Sequence, residues 1–578
     1  MIQLMRYMKP YKWAAAVSVL FVFLQSLANL YLPTLMSDIV DTGVVKGNMP
    51  YVYKIGFYML LVTLLAGVFT VIANYLASKV ASRFGRDVRN NMFAHVETFS
   101  LKEFDQIGTS SLITRTTNDI AQIEQVFMMI LKMMVMAPLM CIGGIIMAVN
   151  KDAKLSLVLV VSVPLLILVV AILGKTAIPI FKQIQKKLDR MNLVLREQLT
   201  GIRVLRSFNR ETYEQLRFDR ANQDVTDISI RINKIMATAM PLMMLIMNLA
   251  TVAIVWFGGL RISSGQMQVG DLMAFIQYAM QIMFSVLMGA MMFIMIPRAQ
   301  VSAGRVNEVL SIQPDIRDRT TADWSQEDAK DGAVINFDQV TYRYPGAENP
   351  AVSDISFTAL PGETTAIIGG TGAGKTTLLN LILRFFDADS GTVSVSGHDV
   401  RDWQLDCLRR VIGYVPQKVQ LFKGTVSENI RYGNPLATDE EVKEAARVAQ
   451  ADGFIAAADK GYDGFLTQGG TNFSGGQKQR LAIARALVRQ ASIYVLDDSF
   501  SALDYRTDSA LRAELKKMTL KATVLIVAQR VSTVLNADKI IVLDEGKVAG
   551  MGTHKQLMGT CKVYQEIVAS QLTKEELA

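Results

Sequence analysis

The sequence predicts two unlike parts. An all-α, six-helix transmembrane domain with long helical extensions comes first, and an α/β domain built round a phosphate-binding loop follows. Three observations carry this. Six apolar segments of bilayer length lie within residues 1–300. The two longest connections between them are polar yet carry few turn signals. The segment "AIIGGTGAGKTTLLNLIL" (Ala366–Leu383) then reads as a short apolar strand, a glycine loop and an apolar helix. The chain has 578 residues, 51% hydrophobic and 19% charged, which is too long for one ordinary domain and too apolar for an ordinary soluble protein.

The helices come first. A helix needs about 20 apolar residues to cross a bilayer. The predicted spans are 13–36, 55–78, 127–149, 155–174, 236–260 and 271–296. The first follows Arg6, Lys9 and Lys12. It is too long for a signal-peptide core and lacks a small-x-small cleavage site, so it is read as a retained helix. The short loops carry only Lys46, Lys54, Lys151, Lys154 and Arg261. The connections 79–126 and 175–235 are rich in Arg and Lys, so they and both termini are expected on the cytoplasmic side of the cell membrane.

Much of the net charge of +8 lies between Lys175 and Lys234, and membrane topology accounts for it without nucleic acid. The three cysteines, Cys141, Cys407 and Cys561, have neither disulfide nor metal-site spacing. In the sixth span Gln277 and Gln281 share a face with Ser285, and either line a substrate cavity or bond a neighbouring helix. Methionines such as Met240, Met243, Met244 and Met247 suit a surface that accepts varied apolar ligands, and equally suit lipid-facing filler. The domain boundaries are read as 1–311 for the membrane domain, 312–332 for a polar linker and 333–578 for the α/β domain.

The α/β domain holds the chemistry. Gly369, Gly370, Thr371, Gly372, Ala373, Gly374, Lys375 and Thr376 match G-x-x-x-x-G-K-[ST], and Thr377 follows. Glycines let backbone N–H groups wrap phosphates at a helix N-terminus. Lys375 is expected on the β and γ phosphates of ATP and the Thr376 hydroxyl on Mg²⁺. "IYVLDDSFSALD" (Ile493–Asp504) supplies a strand ending in Asp497, a second Mg²⁺ acid. Asp498 stands next, where hydrolysis needs a base to activate water. Aspartate is one methylene shorter than glutamate, and a misplacement of about 1 Å costs roughly a hundredfold in rate.

With these residues the chain resembles an ATP-binding-cassette exporter half-transporter over essentially its full length. "FSGGQKQR" (Phe473–Arg480) is similar to the family signature, usually Leu-Ser-Gly-Gly-Gln. The resemblance implies that Tyr344 in "VTYRYPG" stacks on adenine. It implies that Gln417 senses Mg²⁺ and the membrane domain, and that Asp504 closes the loop facing the partner subunit. It implies coupling helices around Phe104–Ser111 and Ser207–Tyr213. It also implies a dimer in which Ser474, Gly475, Gly476 and Gln477 of one subunit complete the ATP site of the other.

Besides Phe473 of the signature, three positions depart from the family pattern. Asp498 stands where glutamate is usual, Gln529 in "IVAQRVST" stands where histidine is usual, and Gln468 stands where glutamate is common. Glutamine bonds a phosphate but holds no titratable proton. The P-loop side thus resembles a degenerate site, while the signature is nearly intact. The combination is similar to bacterial heterodimeric multidrug exporters. It leads to the expectation of an ATP-driven subunit that exports amphipathic small molecules, paired with a second half-transporter. Lipid or peptide cargo, and a regulatory ATP-binding subunit with little catalysis, remain alternatives.

Overall fold

The computed structural model describes residues 2–318 and 333–571. Most of the linker read at 312–332 therefore lies outside the described residues. The chain divides into two compact units. One holds residues up to Glu97 together with Gly108–Ile312, and the other holds Thr98–Ile107 and the residues from Gln313 onward.

The first unit is helical throughout. Its long helices are α1 (Lys12–Asp38), α2 (Met49–Glu97), α5 (Ile120–Lys151), α6 (Leu157–Thr200), α8 (Glu211–Ser263) and α9 (Val269–Ser311). Short helices α4 (Thr109–Thr114) and α7 (Ile202–Ser207) belong to the same unit, whereas α3 (Leu101–Ile107) belongs to the other. Among the described residues six helices are long and apolar enough to cross a membrane, and the fourth begins at Leu157, two residues after the start of the predicted span 155–174. The absence of turn signals in the polar connections has its counterpart in helix length. The 53 residues of α8 extend about 80 Å at 1.5 Å per residue, against a hydrocarbon core of about 30 Å.

Helices α1, α2, α5 and α9 pack on one another, and α6 pairs with α8. Phe84 of α2 stacks on Phe127 of α5 at 4.9 Å. Polar pairs fix the helix ends. Lys151 Nζ donates to Asp271 Oδ1 at 2.7 Å, and the Ser37 hydroxyl donates to the same oxygen at 2.9 Å. Buried Asp119 accepts from Arg305 Nε at 2.7 Å and from the Ser302 hydroxyl at 3.0 Å. Each pair satisfies a carboxylate that would be costly to bury alone.

Helix α3 starts at Leu101, three residues before the region read around Phe104–Ser111, and α7 ends at Ser207, where the region around Ser207–Tyr213 begins. The cause at α3 is local. The Glu103 carboxylate accepts from the Ser100 amide at 2.6 Å, and Ser100 Oγ accepts from the Lys102 amide at 3.2 Å. "SLKE" is thus a Ser-x-x-Glu start signal.

The second unit contains two main sheets. The strands are β1 (Ile335–Tyr342), β2 (Val352–Ala359), β3 (Thr364–Gly369), β4 (Ser390–Val395), β5 (His398–Asp399) and β6 (Ile412–Val415). They continue with β7 (Gly424–Thr425), β8 (Phe465–Leu466), β9 (Ile493–Asp497), β10 (Thr523–Val527), β11 (Lys539–Asp544) and β12 (Lys547–Gly552). One sheet has the order β2-β1-β4-β5 and is antiparallel. The other has the order β12-β11-β3-β10-β9-β6, parallel except at β12. Every residue of β9 and β10 is buried, which is why both read as unbroken apolar runs rather than alternating ones.

Candidate functional site

Strand order builds the site. β3, β10, β9 and β6 are parallel neighbours, so the segments that follow them leave the same edge of the sheet. These carry the P-loop after β3, Gln529 after β10, Asp498 after β9 and Gln417 after β6. Ligands of open parallel sheets bind at this carboxyl edge.

Helix α10 (Lys375–Ile382) begins directly after the glycine loop. Gly374 has φ 92°, and a Cβ there would lie 2.6 Å from the Ala351 carbonyl oxygen, so only glycine fits. Lys375 Nζ donates to the Gly369 and Gly370 carbonyls at 2.9 and 2.7 Å. Burial pulls its ammonium below the usual lysine value, while the charges of Asp498 and Asp497 oppose the shift. The Thr376 hydroxyl donates to Asp497 Oδ2 at 3.0 Å. Burial holds Asp497 above the ordinary carboxylate range. The Thr376 bond and Lys375 act against that shift, and Asp498 adds to it. Thr376, Asp497 and the amide oxygen of Gln417 are hard oxygen donors that fit Mg²⁺. No cluster of three or more His, Cys, Asp or Glu that could hold a metal ion occurs among the described residues.

Asp498 is half-buried and has φ 47°, a left-handed conformation that aspartate tolerates better than most residues. Its amide donates to the Val527 carbonyl at 2.9 Å, which ties the base position to the strand leading to Gln529. Gln529 and Gln417 are exposed. The Tyr344 hydroxyl lies 3.1 Å from Thr377 Oγ1, and its ring stands edge-on to Phe386 at 5.5 Å, leaving a half-exposed aromatic beside the P-loop helix.

The signature lies at a different helix start, Gly475–Leu487. Ser474 Oγ accepts from the Gln477 amide at 3.3 Å, and Gln477 Oε1 accepts from the Ser474 amide at 2.9 Å. Ser474 thereby caps its helix and keeps its hydroxyl proton free to donate. Gly476 approaches Ala502 so closely that a Cβ would lie 2.9 Å from its carbonyl oxygen. Phe473, the departure from the usual leucine, meets Phe454 at 6.0 Å and packs on the core. Gln468 is exposed in the short turn Gln468–Gly470. Asp504 caps the helix Tyr505–Met518 by accepting from the Thr507 amide at 3.0 Å.

Sequence reading missed two residues that hold the switch segment. Gln571 Nε2 donates to the Gln529 carbonyl at 2.8 Å, and Gln571 Oε1 accepts from the Val531 amide at 2.8 Å. Arg512 Nη1 donates to the Ser532 and Thr533 carbonyls at 3.0 and 3.1 Å, while Nη2 donates to Asp508 at 2.8 Å. No short motif marks either residue, because each acts on backbone atoms distant in sequence.

In the membrane unit Gln277 is exposed, and Gln281 Nε2 donates to the Asn29 carbonyl of α1 at 3.3 Å. That bond is the interhelical role. Gln281 Oε1 is buried without a protein partner.

Comparison with known proteins matches residues 15–286 to the ABC transporter transmembrane region and residues 352–501 to the ABC transporter domain. An uncharacterized ABC transporter ATP-binding protein of Mycobacterium tuberculosis is 44% identical, over 98% of this chain and 97% of its own. A Bacillus subtilis protein described in the same words, YfiB, is 37% identical over 98% of each chain. An ATP-dependent lipid A-core flippase of Vibrio vulnificus is 28% identical over 98% of this chain and 96% of its own. Among solved structures, a bacterial Atm1-family ABC exporter with ATP bound superposes with a TM-score of 0.81 at 24% identity, over 97% of this chain and 99% of that one.

Proposed function

Because this chain belongs to the ABC transporter family, joining one transmembrane region to one ATP-binding domain, we propose that it is the degenerate-site subunit of a heterodimeric exporter. It is a multi-pass membrane protein and an ATP-hydrolysing ABC exporter half-transporter, and such exporters work as dimers. The observation that carries the proposal is an asymmetry within one domain. Asp498 and Gln529 replace the residues that activate water and hold a proton, whereas Ser474, Gly475, Gly476 and Gln477 keep the signature chemistry.

Each residue then has a role. The P-loop amides and Lys375 bind the phosphates, and Tyr344 offers its ring to adenine. Thr376, Asp497 and Gln417 hold Mg²⁺, which neutralises charge developing on phosphate oxygens. Asp498 has the chemistry of a base without its reach, and Gln529 orients a phosphate without exchanging a proton. In the partner's site the Ser474 hydroxyl and the Gly475 and Gly476 amides donate to the γ-phosphate. A site that holds ATP without cleaving it keeps the domains in contact while the other site turns over.

The proposed cargo is amphipathic small molecules leaving across the cytoplasmic membrane, with both termini inside, as the basic connections suggest. Exposed Met240 and Met244 support an adaptable apolar surface. Lipid is the second reading, supported by likeness to the lipid A-core flippases. Co-expression with the neighbouring gene product, then ATPase assay of the purified pair, tests the asymmetry. Asp498→Asn leaves activity nearly unchanged while Glu→Gln at the partner's base position abolishes it. Equal losses sink the proposal. Dye and lipid transport in proteoliposomes decides the cargo.

A further inference from the structure

Asp508 and Arg512 lie one turn apart on the helix Tyr505–Met518, and their ion pair is half made. Arg512 Nη2 donates to Asp508 Oδ2 at 2.8 Å. Arg512 Nε and Asp508 Oδ1 are both buried, and neither has a hydrogen-bond partner among the described residues. One is a donor and the other an acceptor, and they belong to the matching edges of a guanidinium and a carboxylate. Two other pairs in this chain use that edge fully. Arg401 gives Nε to Asp399 Oδ1 at 3.0 Å and Nη2 to Oδ2 at 2.5 Å, and Arg305 gives both groups to Asp119. Arg512 differs in its Nη1, which donates to the Ser532 and Thr533 carbonyls at 3.0 and 3.1 Å. Burial holds the Asp508 carboxyl above the ordinary range, against the charge and the single bond of Arg512.

We propose that Arg512 is a two-position link between the loop that ends at Asp504 and the switch segment after β10. In one position it pins the Ser532 and Thr533 carbonyls, as in this structure. In the other it turns its Nε–Nη2 edge onto both oxygens of Asp508 and releases those carbonyls. Each position leaves polar groups that the other satisfies, so neither dominates. A cavity of about 360 Å³ borders Arg512, Ser532 and Thr533, which gives the segment room to shift and water a place beside the released carbonyls. The Asp508 amide donates to the Asp504 carbonyl at 2.9 Å, so a push on that loop reaches Asp508 within one helical turn. Ser532 and Thr533 follow Gln529 closely in the chain, so pinning them restrains it. Arg512 is thus a positioning residue, and its role rests on the reading that Asp504 faces the partner and Gln529 faces ATP. Contact at Asp504 in the ATP-bound dimer favours the second position and frees Gln529 to reach the phosphate. Coupling between sites requires such an element, with two arrangements that both sites bias.

Hydrogen exchange on the full-length chain, co-expressed with the neighbouring gene product, tests this with AMP-PNP and Mg²⁺ as the nucleotide. The Thr533 and Leu535 amides, which bond the Arg530 and Val531 carbonyls, report the turn. The expected result is that nucleotide accelerates their exchange about fivefold or more, while the Gly374 and Lys375 amides become protected. Asp508→Asn abolishes the acceleration, because asparagine keeps one acceptor and sets a donor against Nε–H. Asp508→Glu keeps both oxygens and keeps the acceleration. Thermal melting of each variant shows that it is folded. A pair that only braced the fold would shift exchange equally with and without nucleotide, and that result overturns the proposal. Protection at Gly374 with exchange of the turn unchanged or slowed overturns it too. So does an Asp508→Asn response like that of the unaltered chain, as expected if a fixed water bridged Nε and Oδ1. No protection at Gly374 would overturn the reading of the ATP site, and the link with it.

Discussion

The Asp498 amide donates to the Val527 carbonyl at 2.9 Å, so the base position and the switch segment are fastened through one backbone bond. Val527 pairs with Asp497 in the parallel register of β10 and β9. Gln529, two residues beyond Val527, therefore leaves the same sheet edge as Asp498. These two departures from the family pattern are thus neighbours in the fold.

Restoring both groups should restore chemistry. Asp498→Glu adds a methylene, and Gln529→His adds a titratable nitrogen. In the assembled dimer the double variant is expected to raise turnover at this P-loop site by roughly a hundredfold, the scale of a 1 Å correction in reach. Single-turnover ATPase with the partner's base mutated to Gln measures it. Either change alone should give much less, because the groups act together.

Asp497 carries a cost in the free protein. Burial raises its pKa, so folding disfavours the charged form, and this contribution worsens as pH rises through the raised value. Asp497→Asn is therefore expected to raise the melting temperature of the nucleotide-free chain at neutral pH. The same change should abolish Mg²⁺-dependent tightening of ATP binding. In the unaltered chain, that tightening should fade on acidification at a pH above the ordinary carboxylate range. Calorimetry with and without Mg²⁺ reads both effects.

Arg305 and Asp119 should differ in what their loss costs. The Asp119 side chain is 1% exposed, whereas that of Arg305 is 46% exposed. Arg305→Ala leaves a buried carboxylate without its cation and is expected to cost about 3 kcal/mol. Asp119→Asn leaves a cation that water reaches and should cost less. Thermal melts in one detergent compare them.

Gln571 should govern how firmly the switch segment is held. Gln571→Ala removes both of its bonds to the backbone at Gln529 and Val531. Hydrogen exchange at the Val531 amide is expected to accelerate about fivefold or more, since one such bond contributes about 1 kcal/mol. Amides of β10 should stay protected.

The nucleotide site was legible because its chemistry sits in contiguous residues. Gly369 to Thr376, Asp497 and Ser474 to Gln477 each lie in a short run whose spacing follows from strand, loop and helix geometry. The helical extensions were legible as an absence of turn residues. Gln571 and Arg512 were not, because they grip backbone atoms 40 and 20 residues away for the nearest contacts. The start of α3 was written in "SLKE", ahead of the region read around Phe104–Ser111. The role of Gln281 was left open between cavity and helix contact, since periodicity fixes a face and not the neighbour it meets.

The central claim is that this chain's signature matters more to turnover than its own base position. One substitution at each tests it without knowledge of the partner. Gly475→Asp sets a carboxylate against the γ-phosphate held by the other subunit. It should fold, because a Cβ there meets nothing closer than Ala502 Cβ at 3.9 Å and an acid suits a helix start. Steady-state ATPase of the dimer is measured for Gly475→Asp and for Asp498→Asn. The account predicts near-complete loss for the first and near-full activity for the second. Equal losses, as expected from two identical sites, would contradict it.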